Sequence, residues 1–599
     1  MIPHVFRYAA MATLLTGAAV TATVTGHVPL LATDGPSTIS LTDSNAVPLN
    51  SPGIIDRASC LTIGLVKETA YQCGDLITTY TLPSVRVNGK TQAPVLVFNS
   101  QTAHPHPLLT LDVSISGSTN FPDSVVYVTK VNGTARDSIV ITSAMLASSH
   151  SRRRMQVGWD AYSDPTGVYS VVIDATSYYG GVKYTASTSS SEVIVVNRVN
   201  STIGLGWALA GIDQLFFPAD TTERLMVNGD GSARIFRKAS SNVWVADAFD
   251  HPDTLTFGST TFTHRLPGGA NVVFNAQGQH VQTVDPRTFI TTFRYRSSAA
   301  SAPLDSITLP KLATSYRFHY LISGADTVLD SVRAPGTSGD RITHLNTYGP
   351  VLYQIFDPAG NDEYFEIAQS GVRTGRILLR RGKGGKVSLF RYDALGHLVV
   401  TADSMVMAAD SPATPRADVT TICPFFKVDT IATSACGSVR FSEPPTALIK
   451  FDGPRPNSPT ADVSSFRVHR FGAPEMIVGA VNDTTFITRG TNGCNNFPAF
   501  VTQTIASNGL TTNACSDNGG HVKQRVVVNA FGNSASQTTT YVWDARWDKV
   551  DSISNNLGQT TFIATYDSHG NVDSIADSRS NSATQFVYGS LRATISICC

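Results

Sequence analysis

Charge is scarce in this chain of 599 residues. Charged residues make up 15% of the sequence, and 45 basic residues balance 45 acidic ones, so the formal net charge at pH 7 is zero. A chain without a basic excess has no bulk electrostatic attraction to nucleic acids or to anionic membrane surfaces. We therefore expect no nucleic-acid partner.

The sequence also lacks the motifs of common enzyme classes. It contains no His-Glu-x-x-His and no Gly-x-Ser-x-Gly, which anchor zinc proteases and α/β-hydrolases. Gly382-Lys-Gly-Gly-Lys386 is similar to a phosphate-binding loop, but Arg380 replaces its first glycine and Val387 its magnesium-binding Ser or Thr. His104-Pro-His106-Pro has no third His or carboxylate near it in the sequence. We expect no catalytic site, no cofactor and no metal, and therefore no enzyme.

Long apolar runs are rare, and one of them stands at the N-terminus. Arg7 precedes an uncharged stretch from Tyr8 to Val24. This pattern is typical of a secretory signal peptide, which we place at residues 1–32, with an uncleaved N-terminal anchor as the alternative. No later segment is apolar for long enough to span a bilayer. The sequence predicts an exported protein, secreted or at the cell surface, with no membrane span after this signal.

The chain contains eight cysteines. If the protein is exported, we expect them to form disulfides, because oxidising compartments favour disulfides over free thiols. Six of them form three pairs that are close in sequence: Cys60 with Cys73, Cys423 with Cys436, and Cys494 with Cys515. None of these pairs has the Cys-x-x-Cys spacing of a metal site, so we interpret them as structural disulfides. Residues 33–80 then form an N-terminal segment that holds the first pair.

Alternating β patterns fill much of the remaining chain. Between residues 81 and 197 short runs with a period of two, such as Leu109-Thr-Leu-Asp-Val-Ser-Ile115 and Tyr169-Ser-Val-Val-Ile-Asp174, are separated by turns such as Asn132-Gly133. Short alternating strands at this spacing are typical of β-sandwiches. We predict an all-β protein with an Ig-like β-sandwich at residues 81–197.

The pattern changes from residue 198 onward. Leu225-Met-Val227 and Arg234-Ile-Phe236 flank a turn that contains Asn-Gly and Asp-Gly. This combination predicts a β-hairpin, since glycine supplies the positive φ that the turn needs. Just upstream stands the glycine-rich segment Gly204-Leu-Gly-Trp-Ala-Leu209.

Repeats follow, with two clear copies. Tyr392-Asp393-Ala-Leu-Gly396-His-Leu398 and Tyr566-Asp567-Ser-His-Gly570-Asn-Val572 share the pattern Tyr-Asp-x-x-Gly-x-Leu/Val. Degenerate copies surround them, and aromatic residues at 543, 566 and 588 recur about every 22 residues. A period in this range predicts one β-hairpin per repeat, each burying its apolar face against its neighbours.

Each position of the repeat has a physical role. The aromatic residue ends a strand and packs inward, Asp accepts hydrogen bonds from the turn backbone, Gly takes the left-handed conformation, and Leu or Val begins the next strand. Between residues 404 and 520 the period lapses into a Pro-rich, Cys-bearing stretch, for which we expect irregular strands with long loops.

These repeats and the segment at residues 204–209 resemble the Rhs/YD-repeat family, specifically over residues 520–590 and more loosely over residues 200–400. The resemblance implies that residues 198–599 wind a β-sheet spiral into a hollow shell, incomplete at its C-terminus. In bacterial toxins of this family the shell encloses a C-terminal toxic polypeptide, and in animal teneurins it serves adhesion. The Asp-Pro-x-Gly-Leu/Trp self-cleavage motif of toxin members is missing, because the sequences starting at Asp164 and Asp357 lack the final residue.

Sequence and resemblance together predict an exported, non-enzymatic shell or scaffold, as the shell portion of a polymorphic-toxin-type or cell-surface protein without its C-terminal effector. Two alternatives stay open. One is a carbohydrate-binding adhesion protein with a cell-surface glycan as partner. The other is the N-terminal part of a longer toxin whose enzyme domain lies beyond residue 599, and the partner is then an encapsulated C-terminal polypeptide.

The cysteine pairing is directly testable. We expect the exported protein to contain the three local disulfides named above, because partners close in sequence meet most readily during folding. On the chain-entropy model, a disulfide that closes a loop of this size stabilises the folded protein by roughly 3 kcal/mol. Peptide mapping under non-reducing conditions measures the pairing, and free thiols at four or more of the six positions would contradict it.

Overall fold

The structure is a computed structural model of the whole chain. It describes residues 21–23, 38–42, 65–66, 69–70, 75–87, 90–116, 122–142, 153–187, 191–246, 253–266, 269–286, 288–310, 314–323, 326–393, 396–404, 418–423, 449–452, 463–468, 474–481, 483–490, 494, 500–517, 521–528, 536–544, 549–567, 572–577, 583–588 and 593–597. Most of these residues lie in antiparallel β-strands, so the protein is all-β. The helical segments of the described chain are α1 (Ser100–Ala103) and a 3-10 turn (Gly371–Arg373).

Sixteen strands precede the long sheet and belong to four smaller sheets. They are β1 (Thr21–Thr23), β2 (Thr38–Thr42), β3 (Leu65–Val66), β4 (Thr69–Ala70), β5 (Asp75–Thr81), β6 (Val85–Val87), β7 (Lys90–Gln92), β8 (Val95–Asn99), β9 (Leu108–Ser116), β10 (Ser124–Val131), β11 (Thr134–Thr142), β12 (Arg153–Gly158), β13 (Gly167–Tyr179), β14 (Val182–Ser187), β15 (Ser191–Val195) and β16 (Trp207–Leu209). The first of them, β1, lies inside the predicted signal peptide.

Two of the smaller sheets share one hydrophobic core. The first has the strand order β1-β2-β9-β12, and the second has the order β11-β10-β13-β14, with β15 paired to the other end of β13. Leu109 and Val157 of the first sheet pack with Val125 and Ile173 of the second. Trp159 is fully buried in the same core. This two-sheet core spans residues 108–195 of the range that we predicted to be a sandwich.

The described residues between 81 and 103 were also assigned to the sandwich, but the structure packs them elsewhere. Strands β5, β8 and β16 form a separate sheet, and its core includes Phe98 and Trp207. The Trp207 ring lies 5.2 Å from the ring of Phe365, which belongs to the long sheet. Sequence alternation shows that a strand has a buried face but not which sheet covers it. We call the described parts of residues 75–107 and 198–209 the cover.

The remaining 32 strands form one sheet in which each strand pairs antiparallel with the next. They are β17 (Gln214–Phe216), β18 (Glu223–Val227), β19 (Ala233–Ser240), β20 (Val243–Ala246), β21 (Thr254–Phe257), β22 (Thr261–Arg265), β23 (Asn271–Asn275), β24 (His280–Val284), β25 (Ile290–Tyr295), β26 (Leu304–Thr308), β27 (Ser315–Ser323), β28 (Asp326–Ala334), β29 (Arg341–Tyr348), β30 (Val351–Phe356), β31 (Asp362–Ile367), β32 (Ile377–Arg381), β33 (Val387–Tyr392), β34 (Leu398–Ser404), β35 (Asp418–Cys423), β36 (Ile449–Asp452), β37 (Val463–Val468), β38 (Pro474–Val478), β39 (Thr484–Arg489), β40 (Val501–Ile505), β41 (Thr511–Ser516), β42 (Val522–Val528), β43 (Gln537–Asp544), β44 (Lys549–Asn555), β45 (Thr560–Tyr566), β46 (Val572–Asp577), β47 (Ala583–Tyr588) and β48 (Ala593–Ile597). The same order continues through residues 404–520, for which we expected irregular strands.

The beginning of the long sheet curls back on itself. The backbone N–H of Leu215 in β17 donates to the carbonyl of Gly278, at 2.8 Å, in the turn after β23. Strands six places apart in a flat sheet would lie roughly 28 Å from each other. A Cβ on Gly278 would meet the Leu215 carbonyl oxygen at 1.9 Å, so this closure requires glycine. Phe236 and Phe274 are fully buried in the core of the curl.

The cover seals one face of the middle of the sheet, whereas the later strands are more open. The core that contains the cover extends along the sheet as far as Phe466. Among the later residues whose burial the structure describes, only Ser516 is buried. Apolar side chains there are partly in solvent, such as Phe486 (45% exposed) and Val542 (49% exposed).

Removing the indole of Trp207 should release the cover from the sheet. Because this side chain is fully buried between Phe98 and Phe365, we expect Trp207→Ala to lower the free energy of unfolding by about 3–5 kcal/mol. Denaturant titration measures the loss. The control Leu557→Ala removes an exposed side chain and should change the value by less than about 0.5 kcal/mol. Equal effects of the two variants would contradict the packing of the cover.

Candidate functional site

The turn between β33 and β34 carries the clearest repeat motif. The Asp393 N–H donates to the His397 carbonyl at 2.9 Å, and the Gly396 N–H donates to the Asp393 carbonyl at 3.2 Å. The Oδ1 of Asp393 accepts the N–H of His397 at 2.8 Å. Gly396 has φ +86°, in the left-handed region that favours glycine. The aspartate and the glycine are therefore used to close the hairpin.

The same five-residue turn recurs along the sheet. Its first residue accepts the N–H of the fifth through its side-chain oxygen, at 2.8–3.1 Å, in the turns that begin at Asn275, Asp285, Asp357, Asp517 and Asn555. The sequence search missed the turn at Asp285 because Thr288 takes the glycine position, with φ +65°. An Asp or Asn five residues before the first residue of the next strand is the signal that would have found it.

The aromatic residue before the turn has a second role that the sequence did not predict. The Tyr392 hydroxyl donates to the Ile377 carbonyl at 3.0 Å, which lies at the start of the preceding strand. Tyr295 and Tyr566 make the equivalent bonds to the carbonyls of His280 and Val550, at 3.1 and 2.5 Å. Each of these aromatic side chains packs as a hydrophobic group and also satisfies a backbone acceptor of the neighbouring strand.

Of the six repeat residues singled out in the sequence, Tyr392, Asp393 and Gly396 lie together in one buried turn. Tyr566 ends β45 and Asp567 follows it, twelve strands further along the long sheet. Gly570 lies outside the described residues. The structure thus brings these residues together as local turn elements and not as one shared site.

A buried polar cluster surrounds the Tyr392 turn where it meets the cover. The Arg376 side chain is fully buried, and its Nη2 donates to the His104 carbonyl of the cover at 2.9 Å. Its guanidinium lies 5.6 Å from the centre of the Tyr392 ring. A Cβ on Gly396 would meet the Arg376 nitrogens at 2.2–2.3 Å, so the guanidinium lies directly on this glycine. We call the contact between the cover and residues 374–397 the seam.

The histidines at the seam differ in their partners. His397 Nδ1 lies 2.7 Å from Asp393 Oδ2, and His104 Nε2 lies 3.1 Å from Asp160 Oδ1. Neither ring nitrogen of His106 has a hydrogen-bond partner in the described chain, although the side chain is buried. The sequence showed no carboxylate near His104 and His106, because Asp160 is brought to them only by the fold.

Burial and hydrogen bonding shift the pKa values of several seam groups. A hydrogen bond from His104 lowers the pKa of Asp160 to about 2. Burial lowers the pKa of His106 to about 4, and the Arg376 charge acts in the same direction. Burial raises the pKa of the fully buried Asp75 well above its ordinary value. The seam therefore combines paired and unpaired ionisable groups in a dry environment.

The structure describes no metal-binding arrangement. No group of three or more His, Cys, Asp or Glu side chains that could hold a metal ion is found among the described residues. Gly382 and Gly385 form a hairpin turn, in which Gly382 N–H donates to the Lys386 carbonyl at 2.9 Å. No helix in the described part of the chain is long and apolar enough to cross a membrane.

One of the three predicted cysteine pairs can be compared with the structure. Cys494 and Cys515 are joined in a disulfide, with their Cα atoms 5.6 Å apart. Cys60, Cys73 and Cys436 lie outside the described residues, and of Cys423 only the backbone, at the end of β35, is described. The pairing of the other cysteines stays a prediction.

No protein-family model and no curated protein matches the chain. Solved structures that it is similar to include a Tc holotoxin pore from Photorhabdus luminescens, at 10% identity and a TM-score of 0.30 over 85% of this chain and 27% of that one. A TcdB2-TccC3-TEV structure matches at 10% identity and a TM-score of 0.28, over 85% of this chain and 24% of that one. A TcdB2-TccC3 structure without its hypervariable C-terminal region matches at 8% identity and a TM-score of 0.23, over 82% and 30%.

The chain thus spans about a quarter to a third of the length of these toxin chains. TM-scores in this range are too low to assign a family or a function. What the protein does has to be argued from its own strand order, turns and seam.

The role of the repeat glycine can be separated into backbone conformation and close approach. Gly396 and Gly558 both have positive φ, but only a Cβ at residue 396 would collide with a neighbour, the Arg376 guanidinium. We expect Gly558→Ala to cost about 1–2 kcal/mol of unfolding free energy through backbone strain. Gly396→Ala should cost about 1–3 kcal/mol more, because Arg376 must shift within a packed seam.

Denaturant titration of the two variants gives the difference, and hydrogen exchange shows where it acts. In the Gly396→Ala protein, protection should fall in the cover as well as in β33 and β34, since the seam joins them. Equal costs for both alanines, or a change that stays within one hairpin, would show that Arg376 does not depend on this glycine.

Proposed function

We propose that this chain is an exported, non-enzymatic shell or scaffold protein whose long sheet encloses another polypeptide. The observation that carries the proposal is the order of the long sheet, in which 32 consecutive strands pair with their chain neighbours and the first of them curl back onto a later turn. We infer that the rest of the sheet continues this curvature and so surrounds a space.

The chemistry of the repeat residues supports a structural role. Asp393 accepts the turn N–H of His397 and faces its imidazole, and the Tyr392 hydroxyl donates to a backbone carbonyl. Both side chains are fully buried. General acid–base catalysis needs a group within hydrogen-bond reach of a substrate. The polar atoms of Asp393 and Tyr392 instead make buried hydrogen bonds within the protein.

The exposure of the later strands supports an enclosed partner. A β-sheet is stabilised when at least one of its faces is covered by another layer. In the middle of the sheet the cover supplies that layer, but from β38 to β44 the described side chains are mostly half-exposed. The strand registers place Ile553, which is 37% exposed, on the same face of the sheet as Phe466 and the cover, so this apolar side chain is available for contact with a guest chain.

The resemblance of the repeats to Rhs/YD-repeat proteins points the same way, since shells of that family enclose a C-terminal polypeptide. The adhesion alternative draws on exposed aromatic side chains such as Tyr348, which is 78% exposed at the tip of the hairpin formed by β29 and β30. Aromatic rings in solvent are common in sugar-binding surfaces. Binding of the full chain to a glycan array, lost in Tyr348→Ala, would favour this second function.

Enclosure can be measured with a guest segment. We propose fusing an unstructured peptide with a protease site after Cys599 of the full chain, and in a control protein before residue 33. In the native protein the C-terminal guest should be cleaved at least tenfold more slowly than the N-terminal one, and denaturant should abolish the difference. Equal cleavage rates under native conditions would overturn the proposal.

A further inference from the structure

The seam holds more ionisable groups than any structural role of the repeat turn requires. The cover supplies His104, His106 and Asp75, and the two-sheet region supplies Asp160, whose neighbour Tyr162 stacks near the His104 ring at 4.8 Å between ring centres. The long sheet supplies its own charged or titratable groups: Arg376, Tyr392, Asp393 and His397. Three separate parts of the fold therefore contribute ionisable groups here, and the side chain of Asp160 is half-exposed at the edge of the cluster.

Two of the three histidines at the seam have a carboxylate partner. His104 faces Asp160 and His397 faces Asp393, each within hydrogen-bond distance, so an imidazolium at either position has a carboxylate beside it. Arg376 donates to the carbonyl of His104 and lies over the Tyr392 ring.

His106 is different. It is buried, and neither ring nitrogen has a hydrogen-bond partner among the residues that the structure describes. The charges that act on it are those of Arg376, His104 and His397, which oppose its protonation, and that of Asp160, which favours it. A proton on His106 would therefore create a buried imidazolium without a hydrogen-bond partner among the described residues, at a position where the Arg376 charge already opposes it.

We propose that the seam is a proton-sensitive clasp, in which neutral His106 lets the cover close on the sheet and its protonation in acid releases the cover. The proposal goes beyond the enclosing role of the shell. The clasp belongs to the seam and operates whether or not the sheet holds a guest.

The direction of the effect follows from proton linkage. Burial lowers the pKa of His106 in the closed seam to about 4, whereas a solvent-exposed histidine titrates near 6.5. Between these pH values the released state binds one more proton than the closed state. The stabilising contribution of neutral His106 is thus complete above pH 6.5 and is lost as the pH falls toward 4. The equilibrium constant for release of the cover should therefore rise by roughly two orders of magnitude.

Asp75 acts in the opposite direction, because burial raises its pKa and its protonated form favours the closed state. Its side-chain hydrogen-bond partner, Gln101, belongs to the cover and moves with it. Asp160 stays charged through this pH window, since its pKa is about 2. Replacing Asp75 with asparagine therefore isolates the contribution of His106.

The experiment is hydrogen exchange on the full chain at pH 7 and pH 4.5, corrected for the intrinsic pH dependence of exchange. In the wild type we expect protection in residues 98–107 and 374–398 to fall by about a hundredfold, while β10 and β13 change little. Asp75→Asn should show at least the same fall. His106→Phe, which keeps a ring without a titratable group, should lose less than threefold.

His280→Phe is the matched control, because His280 is also buried with a pKa lowered to about 4 but lies in the curl away from the seam. This variant should retain the fall at the seam. If His106→Phe does not fold at pH 7, His106→Gln replaces it. An equal fall with and without His106, or no fall in both the wild type and Asp75→Asn, would overturn the clasp, and neither result bears on the protection of a guest segment.

Discussion

The structure depends on one constraint, which is that every strand of the long sheet must reverse direction and pair with the next. A five-residue turn meets this constraint repeatedly, because a side-chain oxygen of Asp or Asn replaces a backbone acceptor and a left-handed residue completes the reversal. At Asp393 the side chain accepts the N–H of His397 at 2.8 Å, and at Asn555 the same bond to Gln559 is 3.1 Å. The repeat motif thus serves chain reversal, and its Asp or Asn side chain acts as a hydrogen-bond acceptor for the turn backbone.

With chain reversal alone, neighbouring hairpins would be joined only by the backbone hydrogen bonds between their paired strands. Where the aromatic residue of a repeat is a tyrosine, its hydroxyl can add a second contact by donating to a carbonyl near the start of the preceding strand. Tyr295, Tyr392 and Tyr566 all do this with different neighbours. Stability in such an array comes from contacts between adjacent units, so each such contact links the local turn to the next unit along the sheet.

The cover adds a second layer that packs on the middle of this linear array of hairpins. It packs Phe98 and Trp207 into the middle of the sheet and brings polar groups with them. Burying Arg376 costs free energy unless its donors are satisfied, and the carbonyl of His104 and the face of Tyr392 supply partners. At the seam, buried apolar side chains lie next to buried charged groups. The stability of this contact therefore depends on the protonation of His106.

The sequence by itself determined the features that depend on neighbours in the chain. The all-β class, the hairpin turns at Asp357 and Asp393, and the inward aromatic residues follow from alternation and turn chemistry within a few residues. The tertiary structure alone decided which distant surfaces meet. It placed the described residues between 81 and 103 against the long sheet, Arg376 on Gly396, and Asp160 beside His104. Strand alternation shows that a face is buried but carries no information about what buries it.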